Sequence, residues 1–180
     1  MEFSDGQLVE EALNGSIVAF ERLVARYEKL VYKIAFGCCG NRENTLDIVQ
    51  NVFLKAYRKL ADFRTEGDFR NWIARIAVNE SIDWKRAWKR RRTVELDETM
   101  EITRPAAQEG RVYDREMWEI VRRSMQALKP EYRAAMALRY FEGMSIREIA
   151  AALDCGEGTV KSILFRSLKQ MKNLITKEKP

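Results

Sequence analysis

Residues 145–171 read SIREIAAALDCGEGTVKSILFRSLKQM. Ser145 followed by Glu148 is a capping box, which fixes the start of a short helix. Ile149, Ala150 and Leu153 form its apolar side, and Asp154-Cys155-Gly156-Glu157-Gly158 supplies a turn with two glycines. Gly156 is an acceptable N-cap for the helix that follows. The second helix puts Val160, Ile163, Leu164, Leu168 and Met171 on its inner side. A short helix, a tight turn and a second amphipathic helix make a helix-turn-helix. The outer face of the second helix is Lys161, Ser162, Phe165, Arg166 and Lys169, with no acid among them. Such a face suits phosphates and base edges in a major groove. The plainer alternative is a solvated face on a helical bundle.

Moving toward the N-terminus, a helix over about residues 131–141 ends at Glu142-Gly143, and one over about 115–128 stops at Lys129-Pro130. Before them, TVELDETMEITRPAAQEGRVYD (residues 93–114) has few large apolar residues and no helical stripe. It carries −4, while residues 1–92 carry +4 and residues 115–180 carry +5. An acidic linker thus parts two basic halves; it reads as a loose tether, or as a strap that mimics nucleic acid against a basic groove.

In the first half, Phe20, Leu23, Val24, Tyr27, Val31 and Ile34 mark a helix over about residues 17–37. Leu46, Val49, Phe53, Ala56, Tyr57 and Leu60 mark another over about 45–61, with Asn44 as its expected N-cap and Asp47 in its first turn. The third, FRNWIARIAVNESIDWKRAWKRRR, ends in six basic residues out of eight. Trp72, Arg75, Asn79 and Trp84 lie upstream of Lys85, Arg86, Lys89 and Arg90. Cations interleaved with indoles suit single-stranded nucleic acid, which they hold by its backbone and by stacking. Trp72 taken alone fits core packing equally well.

Composition closes other routes. The chain has 180 residues, 46% hydrophobic and 33% charged, so it should fold. Its net charge of +5 favours an anionic partner. It has no histidine, which removes Ser-His-Asp and Cys-His triads, HExxH zinc sites and Cys-His zinc fingers. Cys38, Cys39 and Cys155 include no C-x-x-C pair and read as small buried hydrophobes in a reducing compartment, with a redox switch at adjacent Cys38 and Cys39 as the lesser reading. No metal or cofactor is expected, no apolar run approaches a membrane span, and the start lacks a signal-peptide pattern, so a cytoplasmic protein without membrane insertion is expected.

Taken together, these residues resemble a known family. LDIVQNVFLKAYRKLADFR is similar to region 2.2 of bacterial sigma factors, FRNWIARIAVNESIDWKRAWKRRR to regions 2.3 and 2.4, and LKPEYRAAMALRYFEGMSIREIAAALDCGEGTVKSILFRSLKQMK to region 4. The chain resembles the extracytoplasmic-function (ECF) group of the sigma-70 family over about residues 8–176. The resemblance implies an all-α fold of two small helical domains, residues 8–92 and 115–176, joined by a flexible linker, 93–114. It implies no catalytic residue. It implies binding to core RNA polymerase, at the beta-prime clamp helices and beta flap, and to promoter DNA, duplex and single-stranded. It also implies control by an anti-sigma factor.

By motif position, Asp47, Gln50, Asn51 and Phe53 would face the polymerase. Trp72, Arg75 and Asn79 would lie at the melted minus-ten element, with Lys85, Arg86, Lys89 and Arg90 on nearby phosphates. Arg139, Thr159, Lys161, Ser162, Phe165, Arg166 and Lys169 would contact the minus-thirty-five element. The family usually has Gln-Glu where this chain has Gln50-Asn51, and Arg42, Glu43 and Asn44 are thinner in acid than usual, so the polymerase-facing surface is less negative. Gly156 stands where the family often has Ser or Pro.

Two other classes compete. A stand-alone helix-turn-helix regulator would leave the Trp- and Arg-rich third helix without a role. A serine recombinase would need a mixed α/β domain around a nucleophilic serine; Ser4 and Ser16 lack such a setting, and strand-like alternation is scarce.

Overall fold

A computed structural model describes residues 3–64, 67–94 and 112–178. Among them the elements are α1 (Asp5–Leu13), α2 (Ile17–Cys39), α3 (Arg42–Arg58), a 3-10 turn (Leu60–Asp62), α4 (Phe69–Val94), α5 (Val112–Gln126), α6 (Pro130–Tyr140), α7 (Ile146–Leu153) and α8 (Glu157–Glu178). No strand occurs among the described residues. Most of the acidic linker, 95–111, lies outside them, as does any contact it makes; its ends at 93–94 and 112–114 belong to α4 and α5.

The helix ends follow local chemistry. Ser4 and Gln7 form a capping box at α1, a helix that the sequence reading did not mark. Ser16 caps α2, which stops at Gly40 in the left-handed region (φ 69°). The cap of α3 is Asn41, whose side chain accepts from the Asn44 N–H at 3.0 Å, so the helix starts one turn earlier than Asn44 would have set it. The acid in its first turn is Glu43. The Asp68 carboxylate accepts from the N–H groups of Arg70 (2.8 Å) and Asn71 (3.4 Å) at the head of α4. Pro130 occupies the first turn of α6, where its missing N–H is harmless.

The box at α7 is as expected. The Ser145 hydroxyl accepts from the Glu148 N–H at 3.2 Å, and Glu148 accepts from the Ser145 N–H at 2.7 Å. These bonds hold the Glu148 carboxyl below its ordinary range. A depressed folded value means that its contribution is complete above the ordinary carboxylate range and fades as pH falls through the folded value. The stability gap between the native chain and Glu148→Gln, read from urea unfolding, should therefore be open at neutral pH and narrow below about pH 4. A gap independent of pH would refute that assignment. Ser145→Ala should cost about 1 kcal/mol in the same assay.

Helices α1 to α4 pack around α2, with Leu23, Ile34, Ile48, Val52, Phe69 and Ile73 fully buried. Helices α5 to α8 pack around α8, burying Leu138, Met144, Ile149 and Val160. The two bundles also meet: α6 lies on α2 and α4, and α7 lies on α4, so one apolar cluster runs through both. Small residues allow this approach. A Cβ built on Gly37 would stand 2.9 Å from that of Ala137, closer than real Cβ contacts come. Nothing in the sequence patterns announced this contact, which is encoded by residues far apart in the chain.

Four side-chain assignments need correction. On α3, Leu46 and Tyr57 are each 50% exposed, and Ile48 and Val52 take the inner side in their place. Leu168 does not join the inner side of α8; it is 46% exposed, and buried Ser167 stands on the inner side instead, its hydroxyl donating to the Ile163 carbonyl at 2.8 Å. Phe53 is only 9% exposed and sits in the core, so it cannot present its ring to a partner. Cys38 and Cys39 are both buried, as small hydrophobes would be, whereas Cys155, in the turn before α8, is only half-buried. Burial pushes the Cys38 thiol up to about 12, which leaves it a poor nucleophile at neutral pH.

Candidate nucleic-acid interface

The outer face of α8 stands clear of the fold. Thr159, Lys161, Ser162, Phe165, Arg166 and Lys169 are all exposed, and Phe165 is 69% exposed. Val160, Leu164, Ser167 and Met171 anchor the opposite face. The Ser162 hydroxyl donates back to the Gly158 carbonyl at 3.0 Å, which leaves its lone pairs outward. Leu168 adds an exposed apolar patch near Phe165, one turn along the helix. The turn ahead of α8 is set by Asp154, whose φ of 54° makes it the left-handed C-cap of α7. The Gly156 carbonyl then accepts from the Thr159 and Val160 N–H groups at 2.9 and 3.2 Å.

Arg139 has a different place. It sits in the last turn of α6, and its guanidinium donates to the Met144 carbonyl at 2.9 Å. It therefore braces the chain leading into α7, and its remaining donors face solvent.

A second surface lies along α4. Trp72 is half-buried, with its ring 5.4 Å from Phe63 and 5.3 Å from Phe69. One side of the indole thus packs on the core while part of it reaches solvent. Asn79 is exposed two turns on. Trp84 and Trp88 stack with centroids 6.2 Å apart and planes at 19°, and Lys85 places its ammonium 4.3 Å from the Trp88 ring. Arg90 is exposed, whereas the Lys89 side chain lies outside the described residues.

Several cations of α4 are already paired. Arg75 meets Asp154 at 2.8 Å and Arg86 meets Glu131 at 2.9 Å. Arg70 donates to the Glu142 carbonyl at 2.9 Å and lies 3.7 Å from Glu148. Arg70 went unnoticed in the sequence because its partners are more than 70 positions away; only tertiary contact distinguishes it from any other surface arginine.

The third surface is on α3, where Asp47, Gln50 and Asn51 are exposed. Phe53 points away from it into the core, and Leu54, 48% exposed, shares the face of those polar residues instead. An exposed leucine one helical turn from Gln50 and Asn51 was the available signal. Among the described residues no group of three Cys, Asp or Glu could hold a metal, and no helix is long and apolar enough to cross a membrane.

Comparison with known proteins bears on these surfaces. The family model Sigma-70 region 2 matches residues 23–92, and Sigma-70, region 4 matches residues 118–171. The ECF RNA polymerase sigma-E factor of Escherichia coli (strain K12) is 33% identical over 186 residues, covering 97% of this chain and 95% of that protein. The protein so named in Haemophilus influenzae is 32% identical over 183 residues, covering 97% and 96%. Among solved structures, CnrH in complex with the cytosolic domain of CnrY has a TM-score of 0.72 at 24% identity, covering 97% of this chain and 99% of that one. The sigma factor RpoE in complex with the anti-sigma factor NepR from Bartonella quintana has a TM-score of 0.70 at 20% identity, covering 89% and 98%.

Proposed function

Because the chain belongs to the ECF group of the sigma-70 family, and so directs transcription initiation at promoters, we propose how its surfaces divide that work. Residues 8–92 form the domain that meets core polymerase and the minus-ten element. Residues 93–114 tether it to residues 115–176, which read the minus-thirty-five element. The observation that carries this reading is the matching of region 2 and region 4, in that order, over two surfaces rich in exposed cations.

On this reading, Thr159, Lys161, Ser162, Phe165, Arg166 and Lys169 enter the major groove. Lysine and arginine donate to phosphates and base edges, and Phe165 offers an apolar contact such as a thymine methyl accepts. Arg139 holds the entry to α7 and lends its free donors to the same DNA. Along α4, Trp72, Arg75 and Asn79 receive the melted strand, while Lys85, Arg86, Lys89 and Arg90 follow its phosphates. Asp47, Gln50, Asn51 and Leu54 meet the beta-prime clamp helices, and the second domain meets the beta flap. Opening costs about 0.6–2.2 kcal/mol per base-pair step. Base stacking on aromatics returns about 1–3 kcal/mol per base, and tethering both domains to polymerase raises the effective concentration of each. Sigma factors are in general not enzymes, and no residue here is assigned a catalytic role. The protein works in the cytoplasm, with an anti-sigma protein as its regulator; the RpoE structure with NepR supports that partner class.

Run-off transcription with purified core polymerase on a promoter library tests the assignment. Promoter-specific transcripts are expected only when this protein is added; identical transcripts in its absence would end the proposal. Within it, Asn79→Ala should reduce open-complex formation roughly two- to tenfold, the worth of one hydrogen bond, with closed-complex binding unchanged. Permanganate footprinting that showed full melting would remove Asn79 from the site.

A further inference from the structure

We infer that Tyr27 is a positioning residue for the strand-capture surface: its phenol, held by Asp5 of α1, fixes the ring of Phe69 that supports Trp72. This builds on the assignment of Trp72 to the melted strand. It gives α1, which carries none of the assigned DNA or polymerase residues, a part in promoter opening.

A half-buried indole serves as a stacking platform best when it is in place before the base arrives, because ordering it on contact subtracts from the binding. Trp72 owes its place to two rings, Phe63 at 5.4 Å and Phe69 at 5.3 Å. Phe69 is the first residue of α4, where a helix has fewest bonds of its own. Its ring in turn meets that of Tyr27, 5.3 Å away with the planes at 48°.

Tyr27 comes from α2, the helix around which α1, α3 and α4 pack, and is 9% exposed. A phenylalanine would fill the same space. The hydroxyl is a burden there unless it finds an acceptor. That acceptor is the Asp5 carboxylate, and a bond to a charged acceptor is about twice as strong as a neutral one. Burial, that bond and the Asp5 charge raise the phenol's ionisation above its ordinary range; Asp68, which caps α4, adds to the effect and the Arg26 charge opposes it. The phenol is therefore a donor throughout the neutral range.

Asp5 is itself fixed. Its other oxygen accepts from Arg26, whose guanidinium also donates to the Phe3 carbonyl at 2.9 Å. Arg22 lies 5.1 Å from the Phe3 ring, and Leu8 and Val9 of α1 are fully buried. The same helix packs on the 3-10 turn that leads to Phe63, so it stands behind both rings that hold Trp72.

Four variants of the full chain, labelled with 5-fluorotryptophan, test the brace. Tyr27→Phe keeps the ring and loses the bond. Asp5→Ala removes the acceptor, whereas Asp5→Asn keeps an amide oxygen in its place. Arg26→Gln loosens α1 but leaves the acceptor of the phenol. The chain has four tryptophans, and Trp72→Phe identifies the fluorine resonance of Trp72. That resonance should shift and broaden in Tyr27→Phe and Asp5→Ala, and stay near its native position in Asp5→Asn and Arg26→Gln. With core polymerase on a promoter, the first two variants should lower open-complex formation about two- to tenfold, the worth of one hydrogen bond, with closed-complex binding unchanged. The other two should open the promoter as the native chain does. An unmoved resonance in Tyr27→Phe would overturn the brace, and Asp5→Ala, which leaves every ring in place, carries the test should Tyr27→Phe not fold. A moved resonance with unchanged opening would overturn the part in promoter opening. So would equal loss of closed and open complexes, or an Arg26→Gln that matches Tyr27→Phe, since a merely structural bond acts in that way. The resonance needs no polymerase, so the brace is judged apart from the sigma-factor reading; a native chain that opens no promoter would overturn that reading instead, and the part in opening with it.

Discussion

Phe69→Ala should lower the stability of the chain by about 3–5 kcal/mol, a large share of what a domain of this size possesses. The ring is 2% exposed and lies 5.3 Å, centroid to centroid, from each of Tyr27, Phe63 and Trp72. Its removal leaves a cavity that rigid helices cannot close, so the transfer and cavity costs add. The effect should also reach function, because Trp72 rests on this ring. Urea unfolding followed by circular dichroism checks the number, and Phe165→Ala is the control: that ring is exposed and its loss should leave stability within about 0.5 kcal/mol. A loss below about 1 kcal/mol for Phe69→Ala would mean that the aromatic cluster does not bear on the core as described.

The second large effect is functional. Arg166→Ala should weaken minus-thirty-five-dependent transcription about 5- to 150-fold, equivalent to about 1–3 kcal/mol for a bidentate base contact. Arg166 is exposed on the outer face of α8, so its loss should not disturb the fold. Transcription from templates with intact and scrambled minus-thirty-five elements, together with co-sedimentation on core polymerase, measures both sides. Promoter activity should fall on the intact template alone while polymerase binding persists. An equal loss of both would move Arg166 from the DNA surface to the polymerase surface.

The helix-turn-helix was legible because its signals are local. The reciprocal bonds of Ser145 and Glu148 and the glycine-containing turn each span a few residues, so the sequence shows them directly. Amphipathic spacing likewise located the cores of α2 and α4, but on α3 it set the stripe partly off its true face: Leu46 and Tyr57 are exposed while Ile48 and Val52 are buried. Phe53 shows periodicity and family resemblance in conflict: its spacing placed it on the apolar stripe, its motif position on the polymerase surface, and the structure sides with the spacing. Leu168 shows the opposite failure. Its spacing is right for the inner side, but the buried stripe of α8 runs Val160, Leu164, Ser167 and Met171, which leaves Leu168 at its edge. The caps differ by one turn at α3 because Asn41 and Asn44 are chemically alike and only backbone geometry chooses between them. The contact between the two bundles was not legible at all. Gly37 looks like a weak helix position, and the alanines of α6 like ordinary helix formers, until the opposing backbone is seen.

The charge pairing across that contact has a consequence at the bench. Its ion pairs, Lys33 with Glu142 among them, cancel charge locally and leave the net charge of +5 unchanged, so the uncancelled cations lie elsewhere, the exposed face of α8 among them. A sulfonate resin should therefore hold the chain in a preferred orientation, and Lys161→Gln with Lys169→Gln should advance its elution more than Lys33→Gln does.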